Sequence, residues 1–182
     1  MRPPSNVKRG RFNPAEALGP DFKDEKIVSG AYAAPWSGQN LFENVSESRS
    51  RNMAAIRSSR TSIELQFQRA MYGLGARYRL HSRTIPGHPD LSNRREKWVI
   101  FVDGCFWHAC PKDFQVPKTR RSYWIPKIQM NVTRRKALKR LLAGQGWSVV
   151  EVWEHEVRQN PQRAASKAIR RIRSMKARVG RY

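Results

Sequence analysis

Two short apolar runs restrict this chain more than any other feature: KWVIFV at residues 97–102 and WSVVEVW at residues 147–153, with one long helical stretch between them. Runs of β-branched and aromatic residues at this length read as strands, and KWVIFV is apolar enough to be buried. The intervening helix is expected from about Tyr123 to Gly144, with Pro126 in its first turn, where a missing N–H is tolerated. Upstream, TSIELQFQRAMYGLG sets Ile63, Phe67, Ala70, Met71 and Leu74 at helical spacing, and Gly75 is placed to end that helix. ARYRL reads as a strand, and HSRTIPGHPDL as a turn-rich passage into a second one. A short basic helix is expected around RSRNMAAIRS. Asn160 and Pro161 open a basic terminal helix with Ile169, Ile172 and Met175 on one side. Strands interleaved with helices predict an α/β fold, a mixed sheet flanked by helices.

Charge divides the 182 residues unevenly. Residues 1–45 hold six Lys/Arg against five Asp/Glu, whereas residues 46–182 hold 30 against nine, within a total of +22. The first segment is rich in Pro, Gly, Asn and Ser, shows no sustained period, and is expected to be a disordered extension. Residues 46–158 are expected to form the folded domain and 159–182 a basic C-terminal helix. The partner of the basic segment is expected to be polyanionic, with nucleic acid foremost because phosphate neutralisation releases condensed counterions, the alternative being a ribosome-associated or merely solubility-charged protein. No run approaches a membrane span and no secretion signal opens the chain, so a cytoplasmic, nucleoid-associated protein is expected. Two cysteines five positions apart in such a compartment point to a metal before a disulfide.

Carboxylates are scarce in the basic segment, which singles out Glu64, Asp90, Asp103, Asp113 and Glu154. Phosphodiester hydrolysis is served by a divalent cation on one or two carboxylates, which neutralises phosphate and lowers the pKa of water. Asp90 follows the rigid Pro89 and precedes the VIFVDG strand, an order compatible with such a centre. A turn-ending Asp would look the same. Glu64 belongs to Thr61-x-x-Glu64, a capping-box pattern, so capping and metal duty compete and are compatible. His108 has the intrinsic pKa of a general base or acid, or is structural. Cys105, Cys110, Asp113 and His155 offer a tetrahedral zinc set, the alternative being two small buried thiols. Phe106, Trp107 and Trp124 are either core aromatics or wedges for a base step.

Taken together, IPGHPDL, FVDGCFWHAC, VPKTRRSYWIPKIQMNVTRR and GWSVVEVWEHEV resemble the very-short-patch-repair (Vsr) mismatch endonucleases, from about Arg49 to Arg158. The resemblance implies a restriction-endonuclease-like α/β sheet with a structural zinc site. It also implies nicking of double-stranded DNA 5′ of the thymine in T·G mismatches left by 5-methylcytosine deamination. It assigns Asp90 and the Val102 backbone to Mg²⁺, and Glu64, His108 and Asn131 to the water shell around it. Cys105, Cys110 and His155 take Zn²⁺ positions, and Phe106, Trp107 and Trp124 the duplex wedge. Asp103 stands where well-known members carry histidine, so either it joins the metal shell or proton transfer rests on His108. Asp113 stands where histidine or cysteine would complete the zinc site. A monomer with a mismatch-repair protein partner is the expected assembly. The competing functions are a restriction or phage-defence nuclease on the same scaffold and a non-catalytic DNA-binding module.

Overall fold

The computed structural model describes residues 61–179; the extension at 1–45 and the short helix expected near 49–58 lie outside the described residues. Within them the chain runs α1 (Ser62–Gly73), β1 (Arg79–Leu80), β2 (Leu91–Asn93), β3 (Trp98–Asp103), α2 (Arg121–Gly144), β4 (Ser148–Trp153), α3 (Glu154–Gln159) and α4 (Pro161–Val179). The four strands lie in the order β1-β2-β3-β4. The first three pair antiparallel, and β3 pairs parallel to β4. A parallel neighbour requires a long crossover, and α2 supplies it.

The apolar run of β3 is explained by burial on both faces. Trp98 and Ile100 point into a core shared with Phe67 and Met71 of α1, Val150 and Val152 of β4, and Ala164, Ala165, Ala168 and Ile172 of α4. Val99 and Phe101 point the other way, against Leu138 and Leu142 of α2, with Ile85 and Val149. A strand with helices on both sides has no solvent face to leave polar. The sequence expectation of a mixed sheet flanked by helices therefore holds.

Both long connections end where glycine permits a left-handed turn. After α1, Gly75 has φ +78; its N–H reaches Tyr72 O and the Ala76 N–H reaches Met71 O. After α2, Gly146 (φ +79) and Trp147 repeat the pair on Ala143 and Leu142. This double hydrogen bond satisfies carbonyls that a helix end otherwise leaves open. At α4, the Arg163 N–H donates to Asn160 Oδ1 at 2.8 Å, and Pro161 occupies the first helical position.

Three local details depart from the sequence expectation. α2 starts two residues earlier than Tyr123, so Pro126 falls beyond the first turn and leaves the Ser122 carbonyl without its helical donor. The ARYRL segment pairs only over Arg79–Leu80, because the Asn93 side-chain amide takes the Arg77 carbonyl at 2.8 Å in place of a ladder partner. A short helix, α3, follows β4 directly; its Glu156 carboxylate accepts the Trp153 N–H at 3.2 Å and closes the first turn.

The β1–β2 loop is seated on α2 at Gly87, whose φ is +77 and where an added Cβ would lie 2.0 Å from Leu138 Cδ2. Leu138 is only 6% exposed and has little room to yield. Gly87→Ala is expected to cost about 2–4 kcal/mol and to lower Tm by about 5–15 °C, measured by thermal unfolding. A change under about 1 °C would contradict this packing.

Candidate active site

The sheet delivers its acids to one end. β2 and β3 pair Leu91 with Ile100, so Asp90, one residue before β2, reaches the last turn of β3 and accepts the Val102 N–H on Oδ2 at 2.8 Å. α1 begins beside it. The Thr61 hydroxyl accepts the Glu64 N–H at 3.3 Å and donates to Glu64 Oε1 at 3.0 Å. The other carboxylate oxygen of Glu64 faces the His81 ring at 3.9 Å. Helix capping and orientation toward the acids are thus combined in the Thr61-x-x-Glu64 turn.

β3 ends at Asp103, which is 1% exposed. Its Oδ1 accepts from Arg135 of α2 at 2.6 Å and lies 3.6 Å from His108 Nε2. The Arg135 guanidinium also lies 3.9 Å above the Phe101 ring, which replaces part of its hydration. Four of the five side-chain polar atoms that are buried without a hydrogen-bond partner among the described residues belong to this region: His81 Nε2, Asp103 Oδ2, His108 Nδ1 and Arg135 Nε. Such groups concentrate where function, not packing, dictates the residue type.

Glu64, Asp90, Val102, Asp103, Trp107, His108 and Asn131 all line one open cavity of about 740 Å³, with Arg134, Arg135 and Arg158 supplying positive charge. Burial pushes the Asp90 carboxyl up from 3.8 to about 6; the Val102 N–H opposes this, and nearby Glu64 adds to it. A buried anion at this position gains from a cation. Burial also pulls His108 down against the opposing pull of Asp103, which leaves its ring neutral and able to take a proton.

Beyond Gly104 the chain turns tightly: the His108 N–H reaches Gly104 O at 3.2 Å and the Cys110 N–H reaches Cys105 O at 2.9 Å. The turn carries Cys105 and Cys110 to His155 in the first turn of α3. Their Sγ atoms lie 3.3 and 3.4 Å from His155 Nδ1, and Asp113 Oδ2 lies 3.6 Å from the same nitrogen. Cys, His and carboxylate ligands around tetrahedral zinc stand about 3.4–3.8 Å apart, given metal bonds of about 2.0–2.3 Å. Cys105, Cys110 and His155 offer donor atoms within 4.8 Å of one another, a set that can hold a metal ion, and Asp113 approaches it from the His155 side.

Phe106, Trp107 and Trp124 pack against one another, with ring centroids 5.2, 5.3 and 5.7 Å apart in edge-on geometry. All three are half-buried and belong to neither core cluster. The Asn131 amide donates to Trp107 O at 3.2 Å, tying this aromatic patch to α2.

Four residues with a place here were not singled out by sequence: Arg134, Arg135 and Arg158, which line the cavity, and His81, which abuts its acids. The signal for Arg135 is its position one helical turn after Asn131, on the same face of α2. For His81 it is the antiparallel pairing across the turn-rich loop, where it falls opposite Asp90.

A mixed sheet with clustered acids, a neutral histidine and arginines at one strand end, on a chain of net charge +22, defines a phosphodiester-cleaving enzyme. Residues 43–115 match the family model of the DNA mismatch endonuclease Vsr. The type II nicking enzyme V.NaeI of Lentzea aerocolonigenes is 39% identical over 134 residues, 71% of this chain and 75% of that protein. The type II nicking enzyme V.HpaIIP of Haemophilus parainfluenzae is 37% identical over 114 residues, 60% of this chain and 79% of that protein. The DNA mismatch endonuclease Vsr of Escherichia coli K12 is 39% identical over 112 residues, 60% of this chain and 71% of that protein. The chain belongs to the Vsr family and is a DNA endonuclease. Among the described residues no helix is long and apolar enough to cross a membrane.

Proposed function

We propose that this endonuclease nicks double-stranded DNA 5′ of the thymine in a T·G mismatch, on a restriction-endonuclease-like sheet with a structural zinc site. The observation that carries the reading is the convergence of Glu64, Asp90, Val102, Asp103, His108 and Asn131 on one cavity beside an aromatic patch. Asp90 and the Val102 carbonyl would hold Mg²⁺, which would supply neutralisation of the scissile phosphate and acidification of a water. Glu64 and the Asn131 amide oxygen would orient the attacking water. His108, kept neutral by burial, takes its proton, and Asp103, anchored by Arg135, holds the His108 ring in place and stabilises the imidazolium that results. Arg134 and Arg158 attract the phosphate backbone.

Phe106, Trp107 and Trp124 enter the duplex at the mismatch. Their edge-on packing outside the core supports a preformed wedge, and unstacking costs least where pairing is already weak. Cys105, Cys110, Asp113 and His155 would hold zinc, which would pin the wedge turn to α3. The deciding assay incubates the protein with Mg²⁺ and two otherwise identical duplexes, one with a central T·G and one fully matched, and maps the cut strand. Preference for the T-bearing strand by more than about tenfold is expected. Phe106→Ala should reduce that ratio by about tenfold with DNA binding retained.

A second reading, a nicking enzyme of restriction or defence systems, is favoured by the names of V.NaeI and V.HpaIIP. It predicts equal cutting of matched and mismatched duplexes, an outcome that would remove the mismatch reading.

A further inference from the structure

The sheet forces His81 against the acids of the cavity. β1 and β2 pair Leu80 with Leu91, so the next pair outward is His81 with Asp90, and the His81 N–H donates to Asp90 O at 3.2 Å. The imidazole then spans two carboxylates from different elements. Nδ1 lies 3.8 Å from Asp90 Oδ1 and Nε2 lies 3.9 Å from Glu64 Oε2. Both separations exceed a hydrogen bond, and Nε2 is buried without a hydrogen-bond partner. The ring is close to both acids and bonded to neither.

One ring nitrogen and one oxygen from each acid lie within 4.8 Å of one another. Donors about 2.1 Å from a six-coordinate ion stand about 3.0 Å apart when adjacent and about 4.2 Å apart when opposite, so this trio closes on a single cation with side-chain shifts of about an ångström. Imidazole distinguishes among cations: Mg²⁺ sheds water reluctantly and prefers oxygen, whereas Mn²⁺ accepts mixed nitrogen and oxygen ligands.

We propose that His81, with Glu64 and Asp90, directly ligates the divalent cation of this site, a mixed nitrogen–oxygen centre that takes Mn²⁺ in preference to Mg²⁺. This rests on the cation reading given above and adds its ligand set; Glu64 becomes a direct ligand instead of acting through water.

The test is pulsed electron paramagnetic resonance of Mn²⁺ added to the full-length protein already loaded with zinc, so that the cysteine cluster is filled. Nitrogen coupling from a bound imidazole is expected. Labelling histidine with ¹⁵N should change the coupling accordingly, without any substitution. His81→Asn, which suits the left-handed backbone there (φ +44), should abolish the coupling and weaken Mn²⁺ binding at least about tenfold. His88→Asn should retain the coupling. Wild-type spectra without nitrogen coupling, or coupling that survives in His81→Asn, would overturn the proposal. Unchanged or tighter Mn²⁺ binding in His81→Asn would do so too, since it marks His81 as a cationic bridge between the acids. Asp90→Asn separates the two levels. If it weakens Mn²⁺ binding while the wild type shows no nitrogen coupling, His81 is no ligand and the cation reading stands. If it leaves Mn²⁺ binding unaltered, both fall.

Discussion

Asp90→Asn is expected to lower Mg²⁺-dependent nicking at least about 10³-fold while raising the melting temperature of the metal-free protein. The two effects share one cause. The Asp90 carboxylate is taken largely out of water, with its pKa pushed from 3.8 up to about 6, principally by burial and further by Glu64. A carboxyl whose folded pKa exceeds its unfolded value favours the fold when protonated. That contribution is fully present below about pH 4 and is lost as pH rises through about 6. Above that the folded protein carries a constant penalty, at most about 3 kcal/mol for a shift of about two units. The side chain is 19% exposed, so solvent reduces the figure to about 1–3 kcal/mol, or about 3–10 °C in Tm. Asparagine removes the charge, and its amide oxygen can still accept the Val102 N–H. Thermal unfolding of both proteins at pH 8 and pH 4 in chelator, alongside a nicking assay, checks the claim. The Tm gain should appear at pH 8 and vanish at pH 4. A variant less stable at both pH values would show Asp90 to be a structural acid.

The second large effect concerns the cysteine cluster. Cys110→Ser should reduce zinc affinity at least about 100-fold and lower Tm by about 10 °C or more, a loss near 3 kcal/mol or greater. Cys110 is 1% exposed, so the substituted hydroxyl is buried as well as being a poor zinc ligand. The cluster joins three separate stretches: the turn after β3, Asp113, and His155 at the start of α3. Without a cation the Cys105 thiol is raised above its ordinary range, by burial first and by the neighbouring Cys110 second. Zinc binding must therefore displace thiol protons and should weaken as pH falls. Chelation of the wild-type protein should reproduce the Tm loss and spare Cys110→Ser. Elemental analysis showing far less than one zinc per chain, with a chelation-insensitive Tm, would retire the site.

These two sites were legible to different depths. Asp90 and the cysteines stood out because carboxylates are few and the chain has only two cysteines, so composition had already narrowed the choice. His108 was a candidate acid or base on its own chemistry, Asn131 and Val102 came through resemblance to a family, and the geometry brings all three to the same cavity. His81 and Arg135 escaped because neither has a local pattern. His81 matters through pairing across a loop of turns, and Arg135 through a helix that returns over the sheet. The Arg135–Asp103 contact spans 32 residues, and no periodicity encodes it.

Local sequence determined the helix ends at Gly75, Gly146 and Asn160–Pro161, the double-sided burial of β3, and the kinds of group available for chemistry. Each of these follows from steric and solvation preferences within a few residues of the chain. Tertiary structure alone decided that Asp90 meets the Val102 N–H, that Asp103 is claimed by Arg135, and that His81 lies between two acids. These contacts depend on strand register and on the path of α2, where a slip of one residue would turn each side chain to the opposite face.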